Sequence, residues 1–382
     1  MLRFTNSLAL VGLTFGINGI AQIVMSYPAG RMADTFGRRP VLIFGLLLQF
    51  LGFVLIYYSV VSWSFWIFVS ALVIYGLSWG TTSQVTVAVM DMYPRSRKAE
   101  SVSYIMAGSV SGSVGAPLII FVTTSYAARA HLDPLSVPWL VPPILVVLAI
   151  LLVSLVKPDS LEIAKNLDKY YPEVDVTGEV EIPAHLLQTT KVFELLKYFP
   201  VLASLVSIAL AWGNMSMMMS LVSVVLRRNN YELTLISVCV AIHVFGMFGL
   251  SIPLGRLADK YDKGKMLVIG SIFLGSGAII TPITSSYWII TLGLFLVGLG
   301  WSAVTVTATA LIGEVTHPNT LGRIIGLTEI GGGSLSLVFP VVGGLMSQKY
   351  GFITSGAIGL LLSLIIFLTA YLLQRKIPKR MV

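Results

Sequence analysis

Charge is scarce in this sequence. Lysine, arginine, aspartate and glutamate together make up 11% of its 382 residues, less than half of the quarter that is usual in soluble domains. Apolar residues supply 56% and the mean hydropathy is +0.88, so the chain reads as a membrane protein. A single cysteine, Cys239, lies inside an apolar run, which excludes a disulfide framework. No glycine-rich phosphate loop, metal-ligand cluster or nucleophile triad occurs. ATP-driven transport and enzymatic chemistry therefore have no support, and neither a cofactor nor a metal is expected. The formal charge of +8 is carried by short basic clusters between apolar runs, not by one polar face. That is a topology signal, and no nucleic-acid partner is expected.

What the sequence does have is long apolar runs. About 20 residues cross a bilayer core, and eleven runs reach that length, at 8–29, 41–61, 64–90, 101–124, 136–156, 199–226, 232–254, 265–285, 287–313, 320–346 and 351–374. They are continuously apolar rather than alternating, which predicts helices and not a barrel. The fold class is an all-α polytopic membrane protein with about 11 transmembrane helices. A polar insert divides the runs into an N-terminal bundle of five over 1–156, a cytoplasmic linker over 157–198 and a C-terminal bundle of six over 199–382. The linker pieces "SLEIAKNLDKYY" and "TTKVFELLKYF" predict surface helices. Placing the Gly30 turn in the cytoplasm leaves five of the 25 basic residues outside (Arg3, Arg129, Arg227, Arg228 and Lys349) and 20 inside. Arg3, directly before the first span, argues against an outside N-terminus and points to a further segment upstream.

One polar stretch recurs. "SYPAGRMADTFGRRP" at Ser26–Pro40 returns as "SIPLGRLADKYDKGK" at Ser251–Lys265, with six of the first nine residues identical at an offset of 225. "GLSW" at Gly76 returns as "GLGW" at Gly298, offset 222, and Pro117 matches Pro340 at offset 223. The common offset marks two copies of one structural unit. Gly30 and Gly37 allow a compact turn and close helix approach. Asp34 is an acceptor suited to the amino end of a helix from the other half. Arg38 needs an acid, and Asp91 at the end of the third span is available; the second copy offers Lys263 with Glu314.

These residues resemble the major facilitator superfamily, whose loop between helices two and three looks like "GRMADTFGRRPVL", with Gly30, Asp34, Gly37, Arg38 and Arg39 at the expected spacing. "GRLADKYDKGKM" is similar to the weaker copy between helices eight and nine. The resemblance covers essentially the whole chain and implies a two-bundle fold built from repeats. One further helix precedes the loop's own in that family, so the sequence looks like helices two to twelve of twelve. The implied function is secondary active transport of a small solute by alternating access. Proton coupling is one possibility, and uniport, symport and antiport all stay open. The alternative is a truncated or non-transporting relative with a sensing or scaffolding role. The expected partners are a small-molecule substrate, protons if they are coupled, and the lipid bilayer, with the chain a monomer in the plasma membrane. The resemblance also implies a cytoplasmic gate made of Gly30, Arg31, Asp34, Gly37, Arg38, Arg39 and Asp91 and, in the second copy, Gly255, Arg256, Asp259, Lys263 and Glu314.

Of the 17 carboxylates, only Glu329 lies well inside a span, about ten residues or roughly 15 Å from the start of the tenth helix. A substrate or proton role is the default expectation for such a group. His243 lies at similar depth and aligns with Asn18 at offset 225; a satisfied core histidine competes with a proton role there. In the sixth span, "WGNMSMMMS" makes Trp212 and Asn214 cavity candidates, and its methionines would suit an apolar ligand as well as ordinary packing. "GSVSGSVGAP" is only partly like the antiporter signature of the family's fifth helix. Its glycines 108, 112 and 115 predict close helix contact.

Overall fold

The computed structural model describes residues 8–172 and 191–376; Arg3 and the middle of the linker lie outside the described residues. Among the described residues every regular element is helical. The long helices and the short ones used below are α1 (Leu8–Phe36), α2 (Arg38–Ser62), α3 (Phe65–Thr82), α4 (Val85–Asp91), α5 (Lys98–Arg129), α6 (Val141–Leu155), α7 (Ser160–Lys165), α8 (Phe199–Arg228), α9 (Leu233–Val244), α10 (Ser251–Lys260), α11 (Lys263–Ile283), α12 (Tyr287–Val315), α13 (Pro318–Tyr350) and α14 (Ile353–Lys376). A helix closes its own backbone hydrogen bonds, which is the condition for crossing hydrocarbon. Ten helical stretches among the described residues are long and apolar enough to do so. They match the second to eleventh expected spans, and the first, 8–29, falls within α1.

The repeated loop is more helical than its sequence suggests. α1 runs through Pro28 and Gly30 to Phe36, so the compact turn expected at Ser26–Pro40 reduces to one residue, Gly37. Its φ of +95° suits glycine, and a Cβ there would lie 2.9 Å from the Asp159 carboxylate. Asp159 caps α2, accepting the backbone N–H of Arg38 at 3.1 Å and of Arg39 at 2.8 Å. In the second copy the residue matching Gly37 is Asp262, which caps its own helix by accepting the Lys265 N–H at 2.9 Å.

The chain forms two compact units. The first takes Met1–Asp91, Ser111–Asn166 and Gly322–Ile330; the second takes Met92–Val110, Leu167–Leu321 and Gly331–Val382. Each thus holds a helix segment from the other half of the sequence. In the first unit, α3 packs on α1 at Gly76, where a Cβ would lie 2.3 Å from the Asn18 carbonyl oxygen. In the second, Gly298 of α12 meets the His243 carbonyl oxygen in the same way, at 2.5 Å. Small residues let backbones approach where lipid offers no hydrophobic drive. α12 is the most enclosed helix, buried at every residue from Trp301 to Val315.

The glycines of α5 differ from expectation. A Cβ at Gly108, Gly112 or Gly115 would meet no atom of another segment within 4 Å. Periodic spacing puts them on one stripe, but it does not supply a neighbour.

Candidate functional site

The first cluster is built on the α1–α2 corner. Arg38 is fully buried and its Nε donates to Asp91 Oδ2 at 2.7 Å; its Nη1 donates to Asp34 Oδ1 at 3.0 Å and to the Ala33 carbonyl at 2.6 Å. Asp34 in turn accepts the backbone N–H groups of Gly322 at 2.8 Å and Arg323 at 3.1 Å, near the amino end of α13, and the Arg323 Nε at 3.1 Å. These N–H groups lie in the second turn of α13, and hydrogen bonds to an ionised acceptor are the stronger kind. Gly30 makes the approach feasible: a Cβ would lie 2.2 Å from the Gly322 carbonyl oxygen. Arg31 is exposed, and Arg39 contributes its backbone N–H to Asp159.

The second cluster repeats these contacts one by one. Lys263 Nζ pairs with Glu314 Oε1 at 2.7 Å and Asp259 Oδ1 at 3.7 Å, and donates to the Ala258 carbonyl at 3.1 Å. Asp259 accepts the N–H groups of Ala99 at 2.9 Å and Glu100 at 2.7 Å, in the first turn of α5. A Cβ on Gly255 would lie 2.7 Å from the Ala99 carbonyl oxygen. Only the outer pair differs in kind: Arg256, 64% exposed, reaches Glu100 at 3.3 Å, a surface bridge of little weight. Beside it, burial pushes the Tyr93 phenol up.

The residues expected at a substrate or proton site are divided between the units, Asn18 and Glu329 in the first and Trp212, Asn214 and His243 in the second. Glu329 is partly buried and accepts a hydrogen bond at 3.3 Å from Gln22 Nε2 of α1. Asn18, one turn from Gln22, donates to the Leu72 carbonyl at 2.9 Å. His243 is fully buried, with Nδ1 2.7 Å from the Leu294 carbonyl oxygen. A carbonyl only accepts, so this bond assigns a proton to Nδ1. Leu72 and Leu294 are themselves 222 apart, so Asn18 and His243 make the same bond in the two copies. Asn214 is also fully buried, and it donates to the Gly359 carbonyl at 3.0 Å and to Ser363 Oγ at 3.1 Å. It fastens α8 to α14. Beside it, Met215, Met217 and Met218 are buried. Trp212 packs edge-on against the buried Trp301, with ring centroids 4.8 Å apart.

Four participants escaped the sequence reading: Gln22, Asp159, Arg323 and the first turn of α5. Gln22 did carry a signal, because Asn18, Gln22 and Ser26 form an i, i+4, i+8 polar stripe on an apolar helix.

Comparison with known proteins places these features. The sequence pattern of the Major Facilitator Superfamily matches residues 1–227 and 203–381. The chain belongs to that family and is an integral membrane protein, a secondary transporter. It is 26% identical to YdeG of Bacillus subtilis (strain 168), an uncharacterized MFS-type transporter, over 92% of this chain and 78% of that one. It is 23% identical to the multi-drug resistance efflux pump PmrA of Streptococcus pneumoniae (serotype 4 strain), over 89% of this chain and 80% of that one. Among solved structures, the proton:xylose symporter XylE superposes with a TM-score of 0.75 at 15% identity, covering 97% of this chain and 86% of that one. That likeness shows the fold, and a sensing or scaffolding role in place of transport is not favoured.

Proposed function

We propose that this chain moves a small solute across the plasma membrane by alternating access of its two repeat-related halves, and that a proton gradient drives it. The observation that carries the transport cycle is the duplicated contact: in each copy an aspartate of the repeated loop holds the amino end of a helix from the other half of the sequence. In this reading such contacts shut one side of the transport path. They must part for that side to open, and the positive-inside bias makes it the cytoplasmic side. Arg38 and Lys263 keep the two aspartates oriented, and their partners Asp91 and Glu314 neutralise them.

Glu329 supplies the coupling group in this reading. It is the carboxylate inside a span that the charge clusters do not use, and a group of that kind binds a proton or a cation in preference to standing bare. The likeness to PmrA favours export of an organic solute. The test is reconstitution of the purified chain in liposomes with ethidium, a lipophilic organic cation, as the probe. Ethidium should be carried against its own gradient without ATP when a pH gradient is imposed, and the movement should stop when an ionophore collapses that gradient. Folded protein that moves no ethidium and no other member of a panel of neutral, anionic and cationic solutes would overturn the reading.

A further inference from the structure

The α1–α13 contact climbs in three rungs. Gly30 meets Gly322; Gly326, if it carried a Cβ, would lie 2.5 Å from the Ser26 carbonyl oxygen; and Gln22 bonds Glu329 at 3.3 Å. The α10–α5 contact climbs the same way in the other unit. Gly255 meets Ala99, and Ser251 donates to the Ser103 carbonyl at 3.2 Å. The offsets that relate these rungs are constant, 225 between α1 and its copy and 223 between α5 and α13. Carried one rung further, they match Gln22 with Met247 and Glu329 with Met106.

Here the repeat breaks. The capping aspartates, their basic partners, the glycine pairs Gly30 with Gly255 and Gly76 with Gly298, and the Asn18 and His243 bonds are all present twice, so the shared architecture accounts for them; at the first two rungs Ala99 and Ser103 stand where α13 has Gly322 and Gly326, and the backbones still meet. The third rung is an amide and a carboxyl in one copy and two thioethers in the other. The backbone departs at the same level: Phe245–Gly249 form a π turn around Met247, where α1 stays α-helical. An architectural need common to both halves cannot explain a pair that only one half has.

Resting on the transport reading above, we propose that Gln22 is the positioning residue for Glu329: its side-chain amide orients the carboxyl that takes up the coupling cation, and the bond is made only while the α1–α13 contact is closed. The amide suits that task because it donates to the carboxyl whether the carboxyl is ionised or protonated. The charged groups of the same contact, Asp34 and Arg323, bond to each other two rungs away, and Arg31 is exposed. They leave Glu329 to the neutral Gln22. Because the rung lies on the same two helices as Gly30 and Gly322, separating those glycines also separates Gln22 from Glu329. Cation exchange at Glu329 is thereby tied to opening.

The test follows the Glu329 carboxyl directly, by infrared difference spectra of the full chain in lipid across pH, with the Glu329→Gln spectrum subtracted. Gln22→Asn shortens the side chain by one methylene and Gln22→Leu removes the donor. Both should shift the frequency and the titration midpoint of the isolated carboxyl band, and both should lower pH-driven ethidium movement about tenfold, the scale of one hydrogen bond to a charged group. The exchanged pair Gln22→Glu with Glu329→Gln restores one carboxyl facing one amide, and it should recover most of that loss. An unshifted band in folded Gln22→Asn overturns the assignment even if transport is intact. A shifted band with unchanged gradient-driven movement also overturns it, because positioning would then have no bearing on coupling. If the wild type moves no solute, it is the transport reading that fails, and the band still reports on the pair.

Discussion

Asp34 and Asp259, 225 residues apart, hold the same geometry: each accepts two consecutive backbone N–H groups near the amino end of a long helix, at 2.7–3.1 Å. Each is reached past a glycine four residues earlier. The glycines are therefore as necessary as the acids. Gly30→Ala and Gly255→Ala should each destabilise the folded protein by about 1–3 kcal/mol, the scale of overpacking a close contact, read as a lowered thermal midpoint in detergent. Gly108→Ala is the control, since its added methyl meets open space. Equal losses in all three would show that helix glycines matter here for some reason other than contact.

The caps of α2 and α11 come from different places, Asp159 and Asp262. Asp159→Ala should cost about 1 kcal/mol, a typical loss for a removed cap, and Asp262→Ala a similar amount. The two differ in reach. Asp159 ties the first residues after α6 to the α1–α2 corner, so its loss should also speed proteolysis within the linker, while Asp262→Ala leaves that rate unchanged. Limited trypsin digestion of the two variants checks this.

His243 and Asn18 bond matching carbonyls, those of Leu294 and Leu72. His243→Asn should therefore keep both fold and transport, as the asparagine side chain already serves this position in the first copy. His243→Leu should lose about 0.5–1.5 kcal/mol, the net worth of one hydrogen bond, since the Leu294 carbonyl keeps its partner within α12. Proteoliposome transport by the asparagine variant is the deciding measurement; a folded but uncoupled His243→Asn would return the proton role to the histidine.

Much of this arrangement is legible in the sequence because it occurs twice. One copy of the loop motif offers an acid and a base with no stated partner, whereas the offset pairs Arg38 with Asp91 and Lys263 with Glu314 as like with like. The helices are legible because hydrocarbon permits few alternatives. What stays hidden depends on neighbours that no spacing encodes. Asp159 lies 121 residues from the helix it caps. Gln22 and Glu329 are 307 apart, and an amide on an apolar helix does not announce which helix it faces. The glycine stripe of α5 failed as an indicator for the same reason. It fixes a face of a helix, and only packing decides whether that face meets protein, ligand or lipid.

A carboxyl in a span is proposed to couple a proton gradient to solute movement, and Glu329→Gln is the variant that removes that coupling alone. The amide keeps the size of the side chain and its hydrogen bonding to Gln22 but cannot titrate. In liposomes the variant should still equilibrate ethidium down its own gradient at close to the wild-type rate, and it should lose accumulation driven by an imposed pH gradient. Wild-type levels of pH-driven accumulation by folded Glu329→Gln would contradict the account and reduce the Gln22–Glu329 pair to packing.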